Sequence, residues 1–147
     1  LFIIISIVYD RYRTRLTPYY GGLASVMPIY VLIFLVFTMA NIGLPGTSSF
    51  VGEFLILTGS FKVNTSITFL GATSMMIGGG YSLWLFNRIA YGNLKIQYMS
   101  KFLDLNLREC LSFLPLLLGT LITGIYPDIF LTSIHMSVNN LIELLYF

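Results

Sequence analysis

The chain has 147 residues, of which 56% are hydrophobic and only 10% charged, with a mean hydropathy of +0.85 and a formal net charge of +2. A soluble domain carries about 25% charged residues, so this composition excludes an ordinary water-soluble fold, and the apolar runs lack the period-two alternation of a membrane barrel. So small a net charge points to no nucleic-acid partner, and a single cysteine, Cys110, excludes an internal disulfide and argues against a thiolate metal cluster.

The expected class is an all-α integral membrane protein. Residues 1–8, LFIIISIV, read as the end of a helix whose beginning lies elsewhere, in a longer chain or in another piece of a split one. YDRYRTRLTPYYGGL follows as a polar connection, in which Asp10, Arg11, Arg13 and Arg15 precede Pro18 and Gly21-Gly22. Its arginines read first as a topology signal and second as contacts to lipid phosphate or a partner.

Residues 28–61 are the stretch on which the rest is organised. Two apolar runs, 28–42 and 49–61, are separated by Gly43, Leu44, Pro45, Gly46 and Thr47, and the second run carries one carboxylate, Glu53. At ~1.5 Å per residue neither run crosses a hydrocarbon core of ~30 Å, whereas together they exceed it. The sequence predicts one membrane helix opened by a loop, because Pro45 removes a backbone donor and Gly43 and Gly46 release the chain from helical geometry. Such openings persist in a bilayer only where the freed backbone groups line a wet cavity or are buried in protein. An ionisable side chain at membrane depth is costly enough to mark function.

After a short polar turn at Lys62 and Asn64, residues 67–90 are expected to span, carrying Gly78-Gly79-Gly80, Trp84 and Arg88. The glycines read as a close helix contact rather than a phosphate loop, since no Gly-Lys-Ser or Gly-Lys-Thr follows. Residues 91–109 are mixed, with Lys95, Lys101, Asp104, Arg108 and Glu109 among Phe102, Leu103, Leu105 and Leu107, and are expected to lie along the membrane surface. Residues 111–126 are the last expected span, with Pro115 near its start, where proline is best tolerated. In the tail, residues 128–146, Phe130, Ile134, Val138, Leu141 and Leu145 recur three or four positions apart, the stripe of an amphipathic helix. His135 is a candidate minor proton relay; an interfacial hydrogen-bonding role is the commoner one for a lone histidine.

If the opened element crosses once, Arg11, Arg13, Arg15, Arg88, Lys95, Lys101 and Arg108 fall on one side and Lys62 alone on the other. Two separate crossings would erase that bias. The positive-inside rule therefore favours a single crossing, with the basic loops facing the cytoplasm or the mitochondrial matrix.

A carboxylic acid taken out of water resists ionisation, and its pKa rises by up to ~3–5 units, into the range where a proton is loaded and released near neutral pH. Glu53 is the candidate for such proton transfer. A brace is the competing role, in which Glu53 accepts hydrogen bonds from Thr47, Ser48 or Ser49 and holds the opened helix together. No lysine or arginine of this chain falls at mid-span, so a cation that tunes Glu53 is expected from residues outside it.

LPGTSSFVGEFLILTGSF, with YDRYRTRL, YYGGL and MP before it and YSLWLFNRIAYGNLK and KFLDLNLRE after it, resembles the C-terminal part of the chain 4 family of mitochondrial NADH:ubiquinone oxidoreductase, respiratory complex I. Bacterial counterparts and subunits of cation/proton antiporters look like more distant relatives. The resemblance covers essentially the whole chain and is most specific over residues 44–61. It implies a proton-pumping, antiporter-like subunit of the membrane arm, built from two inverted five-helix repeats with one interrupted helix in each. This chain would be the C-terminal half of that helix bundle. In the family the interrupted helix of the second repeat carries an ionisable residue, which aligns with Glu53 and serves the proton half-channel toward the positive side of the membrane.

The family's other functional residues, a glutamate and two lysines on earlier helices, have no counterpart here, so another chain or segment is expected to supply the first repeat. The resemblance further implies a multi-pass location in the mitochondrial inner membrane, with other membrane-arm subunits and membrane lipids as partners. Flavin and iron–sulfur clusters are expected in other subunits and no cofactor in this one, which has one Cys, one His and no dinucleotide-binding glycine motif after a strand. Two further functions stay open: a cation/proton antiporter subunit independent of a quinone reductase, and a purely structural membrane subunit.

Overall fold

In the computed structural model, which describes residues 1–94 and 104–146, the chain folds into α1 (Phe2–Tyr12), a 3₁₀ turn (Thr17–Tyr19), α2 (Leu23–Val26), α3 (Pro28–Ile42), α4 (Ser48–Val63), α5 (Thr65–Ala90), α6 (Leu107–Ile125) and α7 (Asp128–Tyr146). No strand occurs among the described residues. One helix there, Leu107–Ile125, is by itself long and apolar enough to cross a membrane; Pro28–Ile42 is apolar but shorter.

α3 and α4 lie one after the other along α5. The reversal between α4 and α5 takes one residue, Asn64, whose side chain accepts from the backbone N–H of Ser66 and Ile67 at 3.0 and 3.3 Å. That cap starts α5 directly where α4 ends. α5 then passes α4, where the Thr68 hydroxyl donates to Ser60 Oγ at 3.2 Å, and continues past α3, where Phe86 meets Phe34 at 5.3 Å between ring centroids. Its 26 residues reach ~39 Å at ~1.5 Å each, enough to flank both halves. The opened element therefore makes one traverse, antiparallel to α5. α6 runs alongside it: Phe113 packs on Phe37, ring centroids 6.1 Å apart, and Gly124 reaches the backbone of Gly46 and Thr47.

The buried core gathers at one end, from Ile4, Ile7 and Val8 of α1 to Leu23, Met27, Tyr30 and Phe34, closed by Phe86 and Phe113. A polar clamp seals it. Arg11 pairs with Glu109 at 2.7 Å and donates to the Asp104 carbonyl at 2.9 Å. The Asp104 carboxylate accepts from the N–H groups of Ile29 and Tyr30 at 3.2 and 3.3 Å. α3 needs this acceptor because its own cap, Met27, offers no side-chain oxygen and Pro28 holds the first position. Asp104→Ala is expected to cost about 1 kcal/mol at this helix start and to speed amide exchange of Ile29 and Tyr30 roughly five-fold, read by hydrogen exchange and mass spectrometry.

The same end holds Arg11 in the last turn of α1, Arg13 and Arg15 after it, Arg88 near the end of α5 and Arg108 in the first turn of α6, while Lys62 sits at the opposite end of α4. Gly22 N–H bonds the Tyr91 carbonyl at 3.2 Å and joins two of these segments. Arg11, expected to be a topology signal, is also half of an ion pair whose side chains are only 13% and 27% exposed. Lys95 and Lys101 lie outside the described residues.

Several boundaries differ from the expected ones. α1 runs past residue 8 to Tyr12, so Asp10 and Arg11 are helical; Arg13, at φ 55, ends it by donating to the Tyr9 carbonyl. α5 starts at Thr65 rather than residue 67 because of the Asn64 cap. α6 starts at Leu107 rather than residue 111, since Glu109 reaches back to accept from Asn106 N–H at 2.9 Å. Residues 107–109 therefore belong to this helix and not to a surface segment, and Pro115 lies in its interior, where it removes one backbone donor. Of the expected surface segment 91–109, Phe102 and Leu103 lie outside the described residues with the two lysines, and Asp104 is turned onto α3. In α7, Phe130, Ile134, Val138 and Leu141 are all exposed; the side chain of Leu145 is outside the described set.

Candidate functional site

The opening between α3 and α4 closes its own hydrogen bonds. Gly43 adopts φ 81 and ψ 41, and the N–H groups of Gly43 and Leu44 return to the Ala40 and Met39 carbonyls at 3.3 and 3.2 Å. This is the left-handed helix ending that glycine permits. Pro45 then leads away, Gly46 turns at φ 93, and both the N–H and the hydroxyl of Thr47 donate to the Leu44 carbonyl, at 3.0 and 2.7 Å. Ser49, one residue into α4, donates its hydroxyl to the Ala40 carbonyl. The N–H groups of Gly43, Leu44 and Thr47 thus find acceptors inside the protein, as an opened helix away from water requires of its freed backbone.

Glu53 lies in the second turn of α4 and folds back over Gly43. A Cβ at Gly43 would collide with Glu53 Oε2 and sit 3.1 Å from its Cδ, so the carboxylate occupies the place of the missing side chain. Oε2 is buried and, among the described residues, has no hydrogen-bond partner. It borders a cavity of about 100 Å³ lined by Asn41, Ile42, Met75, Gly78, Gly79 and Tyr81. A space of that size admits water, and its polar lining comes from Glu53, Asn41 and Tyr81. Thr47 and Ser49, expected as donors to Glu53, give their hydroxyl protons to the Leu44 and Ala40 carbonyls instead.

Asn41 and Tyr81 were missed as neighbours of the acid. Asn41 had a signal, being the one amide side chain in the apolar run 28–42. Tyr81 had none, because its place depends on how α5 is registered on α3. That register comes from the glycine run: a Cβ at Gly79 would sit 3.2 Å from Ile42 Cγ2, whereas one at Gly80 would meet nothing. His135 stands elsewhere, on the exposed α7, with Nδ1 3.1 Å from Asn139 Nδ2; the structure does not bring it to Glu53. Trp84 carries the Arg88 guanidinium over its ring at 5.2 Å.

Residues 1–78 match the family described as NADH:quinone oxidoreductase/Mrp antiporter, TM. Over 143 residues the chain is 52% identical to NADH-ubiquinone oxidoreductase chain 4 of Marchantia polymorpha, and 52% identical to that of Arabidopsis thaliana, covering 97% of this chain and 29% of each relative. It is 43% identical over 143 residues to NADH-quinone oxidoreductase subunit M of Rhodobacter capsulatus, covering 97% of this chain and 28% of that protein. The chain thus spans less than a third of the length of these relatives.

Proposed function

We propose that this chain, which belongs to the NADH:quinone oxidoreductase/Mrp antiporter transmembrane family, forms the C-terminal part of a proton-translocating membrane-arm subunit of an NADH:ubiquinone oxidoreductase, with Glu53 as a proton-transfer group. The observation that carries this reading is Glu53 Oε2, buried beside an opened helix and without a hydrogen-bond partner among the described residues. A carboxyl oxygen left without a partner beside a water-sized cavity offers a place where a proton can be received and handed on. Similarity to chain 4 and subunit M proteins supports the same reading.

In this arrangement α3 and α4 cross the bilayer once as an opened element, α5 and α6 cross beside it, and α7 lies at the interface with its apolar stripe on lipid. The end that holds Arg11, Arg13, Arg15, Arg88 and Arg108 faces the matrix of a mitochondrion, on the positive-inside rule. The other membrane-arm subunits are the partners, one chain or segment among them supplying the first repeat. Redox cofactors belong to other subunits, and this one moves protons in response.

Glu53→Gln tests the role, because it keeps size and hydrogen bonding while abolishing titration. Proton translocation per NADH oxidised, measured with the assembled enzyme in sealed vesicles, is expected to fall several-fold with subunit content unchanged. Unaltered translocation would leave Glu53 with no proton role. An antiporter independent of the reductase is distinguished by Na⁺ or K⁺ exchange without NADH.

A further inference from the structure

We infer that the open cleft between residues 18–21 and the end of α5 holds the phosphate group of an anionic phospholipid, with Arg88 as its anchor; this rests on the membrane crossing proposed for α5. The cleft encloses about 440 Å³ and is lined by Pro18 and Tyr20 on one side and by Trp84, Asn87, Arg88 and Tyr91 on the other. Small-ligand sites have volumes of about 300–1,000 Å³. Its two walls are tied together by the Gly22 N–H, which donates to the Tyr91 carbonyl at 3.2 Å. Glycine lets the segments come this close: a Cβ at Gly21 would sit 3.0 Å from the Asn93 carbonyl oxygen, and one at Gly22 would sit 2.8 Å from that of Gly92.

The cation of the cleft is set in place before any ligand arrives. Arg88 lies one turn after Trp84 and rests its guanidinium 5.2 Å from the centre of the indole ring, a contact that orients the fork and leaves its N–H groups to bind elsewhere. Among the described residues no carboxylate pairs with Arg88 and no acceptor takes its donors. A phosphate supplies two anionic oxygens that match the fork, and the neighbouring Asn87 amide lines the same cleft as a further donor. Trp84, Asn87, Arg88 and Tyr91 recur three and four residues apart and share one face of α5. Trp84 and Tyr91 are exposed there, as aromatic side chains are at the level of lipid headgroups. Toward mid-membrane the face continues through the exposed Ile77 and Gly80, along which an acyl chain of the same lipid lies. A free anion would meet the guanidinium but make no use of that apolar continuation. Arg13 and Arg15, at the same end, add to the field that draws acidic lipid.

Photoactivatable lipids test it. Phosphatidylglycerol and phosphatidylcholine, each with a diazirine beside the headgroup, are incorporated with the assembled complex into vesicles, and adducts on residues 84–93 are quantified by mass spectrometry. The anionic lipid is expected to label this segment roughly ten-fold more than the zwitterionic one. Arg88→Gln is expected to remove that excess, and Arg15→Gln, on the neighbouring connection outside the cleft, to leave most of it. Inorganic phosphate in excess is expected not to compete. Equal labelling by both lipids, equal losses in the two variants, or competition by inorganic phosphate would overturn the assignment, the last giving the cleft to a free anion. Should Arg88→Gln fail to assemble, Trp84→Leu removes the ring beneath the guanidinium and keeps the charge; a several-fold loss of the excess is expected there, and an unchanged excess overturns the proposal equally. Labelling of residues 84–93 by neither lipid would remove the membrane placement of α5 itself, whereas equal labelling by both would leave the crossing and remove only the site.

Discussion

Gly43→Ala is expected to disable the site more thoroughly than any other single methyl. Two costs coincide there. The backbone sits at φ 81, a conformation that costs a side-chain-bearing residue about 1–2 kcal/mol, and the new methyl would occupy the position of Glu53 Oε2. The carboxylate must then leave its cavity or the two half-helices must part. Gly46→Ala supplies the control, since Gly46 has φ 93 but nothing within 4 Å of an added Cβ. Both variants should lose thermal stability of the assembled enzyme, Gly43→Ala the more, and only Gly43→Ala should also lower proton translocation to the level of Glu53→Gln. Equal translocation in the two alanine variants would show that strain at the opening, and not displacement of the acid, sets activity.

Gly124→Ala is expected to be the most destabilising substitution in α6. An added Cβ would run into the carbonyl group of Gly46 and lie 2.6 Å from the carbonyl carbon of Thr47. Overpacking against movable side chains costs about 1–3 kcal/mol; here the obstacle is backbone held by the Thr47 hydrogen bonds, so roughly 3 kcal/mol or more follows. Gly119→Ala, with nothing within 4 Å, should be neutral or slightly stabilising because alanine is the better helix former. The measurement is the amount of intact complex surviving a temperature ramp in detergent. Similar survival of the two variants would mean that α6 does not bear on the opening.

The opening was legible in the sequence because glycine and proline act locally: Gly43, Pro45 and Gly46 lie between apolar runs too short to span alone. Glu53 was conspicuous for the same reason, as the one charge in its run. What surrounds Glu53 was not legible. Its cavity is built where α5 crosses α3, and the contact that sets the register, Gly79 on Ile42, joins residues far apart in sequence. Helix starts were misplaced wherever a polar side chain capped a helix instead of ending it. Asn64 draws Thr65 into α5, and Glu109 draws Leu107 into α6 although the neighbouring charges read as surface. The clamp of Arg11, Asp104 and Glu109 is not legible in the sequence, because composition cannot tell a charge that faces water from one that faces another charge.

That clamp also orders events during synthesis. The acceptor for the Ile29 and Tyr30 amides lies 75 and 74 positions further along the chain, so at roughly 5–20 residues per second the ribosome delivers it about 4–15 s after the donors. Until then the head of the broken helix has no lasting partner and must be shielded by the insertion machinery. Amide exchange at Ile29 and Tyr30 should therefore be fast in a nascent chain stalled before residue 104 and slow in one extended through α6.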